Sequence, residues 1–410
     1  MKLEQTSVVI GLDWADREHT CSLHQPDGKK LSLITVAAAP EIFGRWLDEL
    51  RQKFPQGQIV VVIERPDGAV VEMMRERAGF VIVAVNPVVL HRFRQAFAPS
   101  GAKGDPGDAA LLAELILTHP EKFEALEAQD PQLQKLGALV QERRNWVDMS
   151  TGLVQQLNDV LKKYYPQALE LTGENLGSPM TLAFLRRWPD LAAVKRARWS
   201  TLERFYFHYH SCREELLARR RELHANAQSV SEQECYIAPL RLHMQAIIGQ
   251  LEALIPSIEH FDEAIAEIYH GVEGRQVIDS LPGAGKVMAP RLWVACQQAG
   301  PEATALDLAL LSGIAPVQKQ SGQSKVVSFR HGRPRFLHQT WTEFAYHSIL
   351  GCGWAKAYYN GRRAKGHGKH ASLRALAFKW TRIVARLWRD QVPYDDAFYT
   401  CRRSARQTAA

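Results

Sequence analysis

No stretch of the sequence holds the ~20 consecutive apolar residues that a membrane-spanning helix needs. The opening, Met1-Lys2-Leu3-Glu4-Gln5, is polar where a secretory signal would show an apolar segment. Both absences point to a cytoplasmic protein with no membrane partner. Cysteine is sparse: the six residues at 21, 212, 235, 296, 352 and 401 form no Cys-x-x-Cys pair and no Cys/His spacing suited to zinc. That excludes a disulfide scaffold and a zinc module, and His208 and His210, inside an aromatic run, read as packing. The Gly-x-Gly-x-x-Gly turn of a dinucleotide fold does not follow the first strand. The nearest approach to a Walker loop, residues 278–286, has Ser280 where Gly is required and Val287 where a hydroxyl should hold Mg²⁺.

What is present is ordinary for a soluble chain of two or three domains, with 410 residues, 46% hydrophobic and 23% charged. The charge is placed unevenly. Residues 321–410 carry 17 Lys or Arg against 4 Asp or Glu, whereas the preceding residues carry 34 against 40. A basic end of this kind calls for a polyanion, and nucleic acid is the simplest candidate; a merely solvated basic surface is the bland alternative.

Two short β-branched runs end in acids: Val8-Val9-Ile10-Gly11-Leu12-Asp13 and Ile59-Val60-Val61-Val62-Ile63-Glu64. Such runs read as buried strands, and an acid at the end of each lies at the sheet's carboxyl edge, where α/β sheets build sites. Further on, Lys103-Gly104-Asp105-Pro106-Gly107-Asp108 opens a helix. Proline is favoured at the first helical position, so Asp105 reads as N-cap and Asp108 as the third helical residue. Two acids this close repel unless a cation stands between them, and Mg²⁺ or Mn²⁺ takes carboxylate oxygens readily. Asp13, Glu64, Asp105 and Asp108 are therefore a candidate metal-binding and catalytic set, against the plainer reading of a capped helix and solvated strand ends. Residues 7–13, 20–25 and 31–37 read as three strands. A helix at 40–54, a strand at 59–64, a helix at 68–78 and a strand at 80–85 follow, an order that matches an RNase H-like sheet. His91, Arg92, Arg94, Lys103 and the turn at 99–101 read as a mobile basic loop beside the acids.

Beyond residue 132 the pattern is helical: a long run to Tyr165, a region at 178–210 and another amphipathic run at 237–268, suggesting an antiparallel coiled-coil arm or a packed helical linker. The turn Leu281-Pro282-Gly283-Ala284-Gly285-Lys286 between helices resembles a helix-hairpin-helix, whose glycine amides meet a DNA phosphate, which makes Gly283, Gly285 and Lys286 candidate contacts. A polar loop at 318–325 holds Ser321-Gly322 between Lys319 and Lys325 and is followed by Arg330, Arg333 and Arg335. A serine so placed could present its hydroxyl to a phosphate, although Ser324 and Ser328 share the segment. Arg362, Arg363, Lys365 and Lys369 form a basic loop before the last helix, about 371–389, where Arg382 and Arg386 are set to meet phosphate. Residues 404–410 read as a frayed tail.

These motifs, in this order, resemble the insertion-sequence transposases with an Asp-Glu-Asp-Asp catalytic set, related to the Piv site-specific invertases. The carriers are Gly11-Leu12-Asp13, Ile63-Glu64-Arg65-Pro66, residues 103–109, the 281–285 turn, Gly313-Ile314-Ala315-Pro316 with Gln320-Ser321-Gly322, and Trp354-Ala355-Lys356-Ala357-Tyr358-Tyr359. The resemblance implies a RuvC-like catalytic domain over 1–125, a helical coiled-coil and oligomerisation region over 126–270, and a mostly α C-terminal transposase domain over 271–410. It implies that Asp13, Glu64, Asp105 and Asp108 bind the metal and that Ser321 attacks the DNA phosphodiester. It further implies double-stranded donor and target DNA, a structured bridge RNA as guide, a homodimer or homotetramer, and action at the nucleoid. The expectation is thus a DNA recombinase. A hydrolytic junction-resolvase-like nuclease and a non-catalytic nucleic-acid-binding factor are the alternatives.

Overall fold

The computed structural model describes residues 3–66, 68–97, 104–126, 130–321, 324–328, 330 and 332–399, without the side chains of 97, 319, 321 and 324–327. Lys103, the 99–101 turn, Gly322 and the 404–410 tail lie outside the described residues, as do the side chains of Lys319, Ser321, Ser324 and Lys325. The chain divides into two compact units, residues 1–130 and 131–410.

The first unit is mixed α/β. Strands β1 (Thr6–Asp13), β2 (Glu18–His24) and β3 (Lys30–Ala37) are followed by helix α1 (Pro40–Lys53), strand β4 (Gln58–Ile63), helix α2 (Ala69–Arg75), strand β5 (Phe80–Ala84) and helices α3 (Pro87–Phe97) and α4 (Asp105–Thr118). The five strands form one sheet in the order β3-β2-β1-β4-β5. The first three are antiparallel, while β4 and β5 run parallel to β1. Because side chains alternate across a strand, β1 feeds two cores. Val8, Ile10 and Leu12 pack with Phe43 and Leu47 of α1, and Val9 packs with Leu112, Ala113 and Ile116 of α4. The sheet is therefore covered on both faces, which is why β1 and β4 read as continuous apolar runs. Ile42, in the first turn of α1, is exposed.

The expected basic loop after residue 86 is a helix instead. Asn86 Oδ1 accepts the Val88 amide at 2.9 Å and Pro87 begins α3, so His91, Arg92 and Arg94 lie on helical turns.

The second unit opens with α5 (Pro131–Tyr164), followed by the short helices α6 (Gln167–Thr172), α7 (Pro179–Arg187), α8 (Leu191–Arg196), α9 (Trp199–His208) and α10 (Glu214–Asn226), and then by α11 (Glu234–Tyr269). Helices α5 and α11 run antiparallel: Leu136 and Val140 share a core with Ile265 and Tyr269, whereas Leu157 and Leu161 share one with Ile247 and Leu251. Arg143 grips Asp262 with two hydrogen bonds of 2.6 and 2.9 Å between them. The helical region expected at 178–210 is three separate helices. Ser178 caps α7 by accepting the Thr181 amide and Asp190 caps α8 by accepting the Ala193 amide, so two restarts interrupt what reads as one pattern.

The chain then forms α12 (Arg275–Asp279), α13 (Met288–Ala299), α14 (Ala305–Leu311), a two-stranded ribbon of β6 (Val317–Ser321) and β7 (Ser324–Ser328), and helices α15 (Arg335–Gly351), α16 (Gly353–Ala364) and α17 (Lys369–Asp390). Their core centres on Trp341, Phe344 and Trp380, all fully buried. Each such side chain contributes about 2–3 kcal/mol by burial. Among the described residues no helix is long and apolar enough to cross a membrane.

Candidate active site and nucleic-acid surface

Leu12 of β1 lies opposite Ile63 of β4 in parallel register, so Asp13 and Glu64 leave the carboxyl ends of neighbouring strands. Adjacent strands are ~4.8 Å apart. Both acids are half-buried, directly beyond apolar residues that are wholly buried.

Gly11 brings in the third acid. A Cβ there would fall 1.9 Å from the Ala109 carbonyl oxygen and 2.7 Å from the Ala113 amide nitrogen, so α4 lies backbone to backbone against β1. Asp108 immediately precedes Ala109, and Asp105 is one turn earlier. Asp108 is buried and Asp105 exposed. The expected cap is displaced by one residue. Gly104 is the N-cap and accepts the amides of Gly107 and Asp108 through its carbonyl, while Asp105 is the first helical residue and makes no side-chain cap. Asp108 is then the fourth helical residue. Both acids remain in the positive first turn of α4.

Asp108 is engaged by Arg94 of α3, its Oδ1 lying 2.7 Å from Nη2, with the two side chains 8% and 16% exposed. The fold thus gathers Asp13, Glu64 and Asp108 at one end of β1 and leaves Asp105 at the rim. As the side chains stand, no three Asp, Glu, His or Cys groups among the described residues converge as a metal shell.

In the second unit, Ser321 ends β6 and pairs across the ribbon with Ser324, while Val317 pairs with Ser328 at the other end. The described residues of the expected polar loop at 318–325 therefore lie in strands, 318–321 in β6 and 324–325 in β7, with Ser321 the last residue of β6. The 281–286 turn does join two helices, α12 and α13. Gly283 has φ +86°, and a Cβ on it would meet the His347–Ser348 backbone of α15 within 3 Å, so this glycine is required for packing. Gly285 and Lys286 are exposed, and the Gly285 carbonyl accepts the first amides of α13.

The candidate arginines differ in freedom. Arg333 donates to the Arg330 carbonyl at 2.9 Å, and Arg335, 84% exposed, pairs with Asp148 at 3.0 Å. Arg363, Lys365, Lys369 and Arg382 are exposed and Arg362 is half-buried. Arg363 donates to the His367 carbonyl, Lys369 stands over the Tyr346 ring and Arg382 over Phe378. Arg386 lies over both Phe398 and Tyr399 and faces Asp390 at 4.0 Å, so it ties the C-terminal segment to α17.

Sequence reasoning missed Arg374, His338 and the Arg291–Glu343–Arg144 cluster. Arg374 and His338 face one cleft, and Arg374 could have been found, since it stands on the same four-residue row of α17 as Phe378, Arg382 and Arg386. Arg291, almost wholly buried, reaches Glu343 at 2.6 Å, and Arg144 reaches the same carboxylate at 3.0 Å, joining α13, α15 and α5. Nothing in the spacing of these residues announces the pairing.

Two family models match the chain. One, described as "Transposase" under the heading DEDD_Tnp_IS110, covers residues 10–166, and the other, "Transposase IS116/IS110/IS902 family", covers residues 275–360. The "Mini-circle putative transposase for IS117" of Streptomyces coelicolor is 24% identical over 396 residues, spanning 91% of this chain and 92% of the relative. "Putative transposase y4uE" of Sinorhizobium fredii is 32% identical over 209 residues, 48% of this chain and 56% of the relative. "Insertion element IS110 uncharacterized 43.6 kDa protein" of S. coelicolor is 23% identical over 409 residues, 96% of each chain.

Proposed function

Because the chain belongs to the IS116/IS110/IS902 family of transposases, which act on DNA, we propose that its first unit is an RNase H-like, RuvC-like catalytic body and that Ser321 of the second unit is the nucleophile. In this reading Asp13, Glu64, Asp105 and Asp108 hold Mg²⁺ or Mn²⁺.

The observation that carries it is the contact of Gly11 with Ala109 and Ala113, combined with the Leu12–Ile63 register. Carboxylates drawn from three separate segments lie towards one edge of the sheet. Their oxygens suit a hard divalent cation, and to take part in holding one Asp108 would exchange its Arg94 partner. Such an ion, when bound, supplies neutralisation and polarisation of a phosphoryl oxygen.

The remaining chemistry belongs to the chain. The Ser321 Oγ forms a bond to phosphorus and a P–O bond of the strand breaks. The serine proton passes to solvent or a base, and the released sugar oxygen takes up a proton as a free hydroxyl. Rejoining is the reverse, with the hydroxyl of another strand attacking the phosphoserine ester. One phosphoester replaces another at each step, so no nucleotide hydrolysis is needed. The missing Walker pattern agrees with this. The basic residues of the second unit support binding of nucleic acid. We extend the reading to a structured guide RNA and to a homodimer or homotetramer as the working assembly.

The test is to incubate the purified protein with element DNA and Mg²⁺ and to map any covalent protein–DNA adduct. The expected outcome is a phosphoserine peptide at Ser321 that is lost in Ser321→Ala and Asp105→Asn, while both variants still bind DNA. Free cleaved ends without an adduct would establish the hydrolytic alternative. Sequencing of co-purified RNA tests the guide.

A further inference from the structure

A cleft of about 580 Å³ opens between the start of α15 and the start of α17. Arg333, Arg335, His338, His370 and Arg374 line it together with Thr342, and no Asp or Glu is among its described lining residues. A second cleft of about 510 Å³ shares Arg374 and reaches Ser328 and Pro316 at the base of the ribbon. Arg374 therefore stands between the two.

The like charges here feel one another. Burial first, and then the charge of Arg333, hold the Arg374 guanidinium below its usual range. Burial, followed by the charges of Arg333 and Arg374, lowers His338 against opposing backbone contacts from Gly313 and Ser312. Arg335 is paired with Asp148 beside the cleft, and a phosphate bound there would offset part of the cost of gathering cations in a partly desolvated space. Hydroxyl, imidazole and guanidinium donors around one opening suit the tetrahedral oxygens of a phosphate.

We propose that this cleft binds a backbone phosphodiester of the DNA strand, held by Arg333, Arg374 and His370. The proposal rests on the reading of the second unit as the part that engages DNA, and it adds a site which that reading does not specify. The second cleft, which shares Arg374, reaches the base of the ribbon, whereas Ser321 ends β6 four residues beyond Val317, roughly 14 Å from that base at ~3.4 Å per residue. A phosphate held here is thus an anchor several nucleotides from the one attacked, and Arg374 positions the strand without touching the reacting atoms.

The test measures binding of a fluorescein-labelled DNA duplex of arbitrary sequence by anisotropy across a salt titration. Arg374→Gln is expected to flatten the slope of log K against log salt by about one, the value for one lost phosphate contact. Arg374→Lys is expected to keep the slope, and the exposed His370→Gln to weaken binding. A wild-type slope in Arg374→Gln overturns the proposal. A second measurement needs no variant: phenylglyoxal modification of the wild-type protein with peptide mapping, in which duplex DNA is expected to protect Arg333 and Arg374. Protection by RNA but not by DNA overturns the assignment. If the wild-type protein binds no DNA, the broader reading falls with this one. If it binds and forms the Ser321 adduct while Arg374 stays unprotected, only the cleft is refuted.

Discussion

Arg94 and Asp108 form an ion pair at 2.7 Å in which both side chains are largely withdrawn from water, at the same end of β1 where Asp13 and Glu64 emerge. The pair joins α3 to the first turn of α4. Removing one partner of such a pair leaves the other charge buried and uncompensated, which costs about 3 kcal/mol. Arg94→Gln is therefore expected to lower the urea midpoint of the protein in EDTA. Adding Asp108→Asn to it should recover part of the loss, because the orphaned charge is gone. Additive losses in the double variant would show that the two residues are not coupled.

The approach of α4 to Gly11 gives a sharper contrast. Gly11→Ala places a methyl group 1.9 Å from a carbonyl oxygen that belongs to a helix backbone and cannot step aside. The expected cost is about 3 kcal/mol or more, read as loss of the cooperative unfolding transition of the first unit. Gly107→Ala, in the first turn of the same helix with open space around its Cβ position, is expected to be neutral or stabilising by about 0.5 kcal/mol. Circular dichroism melts of the two variants decide it. Equal behaviour would mean that the close approach of α4 to β1 is not required.

Arg382 and Arg386 share a row of α17 but are expected to separate in experiment. Arg382 is exposed, so Arg382→Gln should flatten the salt dependence of DNA binding by about one unit of slope. Arg386 is engaged with Phe398, Tyr399 and Asp390, so Arg386→Gln should leave the slope unchanged and cost about 1 kcal/mol of stability through the lost ring contacts. The reverse pattern, in anisotropy and urea unfolding, would reassign the two residues.

His338 makes a pH prediction. Its pKa is held below the ordinary 6.5 by burial and by Arg333 and Arg374, so the folded state takes up its proton less readily than the unfolded chain. The stability associated with the neutral ring is complete above about pH 6.5 and is lost as pH falls towards the depressed folded value. Wild-type protein should therefore lose more stability than His338→Gln on acidification from pH 7.5 through that window. Parallel curves for the two proteins would show that His338 does not titrate differently on folding.

The periodicities, and with them most of the architecture, are legible in the order of residues alone. The apolar runs at 8–12 and 59–63 made buried strands because only a sheet covered on both faces accepts so many β-branched residues in a row. The long amphipathic runs made α5 and α11 because their apolar stripes had to be buried against something of equal length. The acids at the strand ends were legible for the same reason, as the first polar residues after runs with no polar need.

Which charges meet depends on how the elements pack. The pairing of Arg94 with Asp108, of Arg291 with Glu343, and the crowding of Arg333 with Arg374 join residues from separate elements, and no local propensity encodes such distances. The tertiary structure also decided the cap of α4, where the conformation of Gly104 set the start one residue earlier than Asp105 alone suggested. The segment around Ser321 became a ribbon because cross-strand pairing of Gln318–Ser321 with Ser324–Val327 satisfies backbone groups that a polar loop would leave to water. Partners of this kind are chosen by what the fold carries into reach, and the sequence states only what each residue is able to accept.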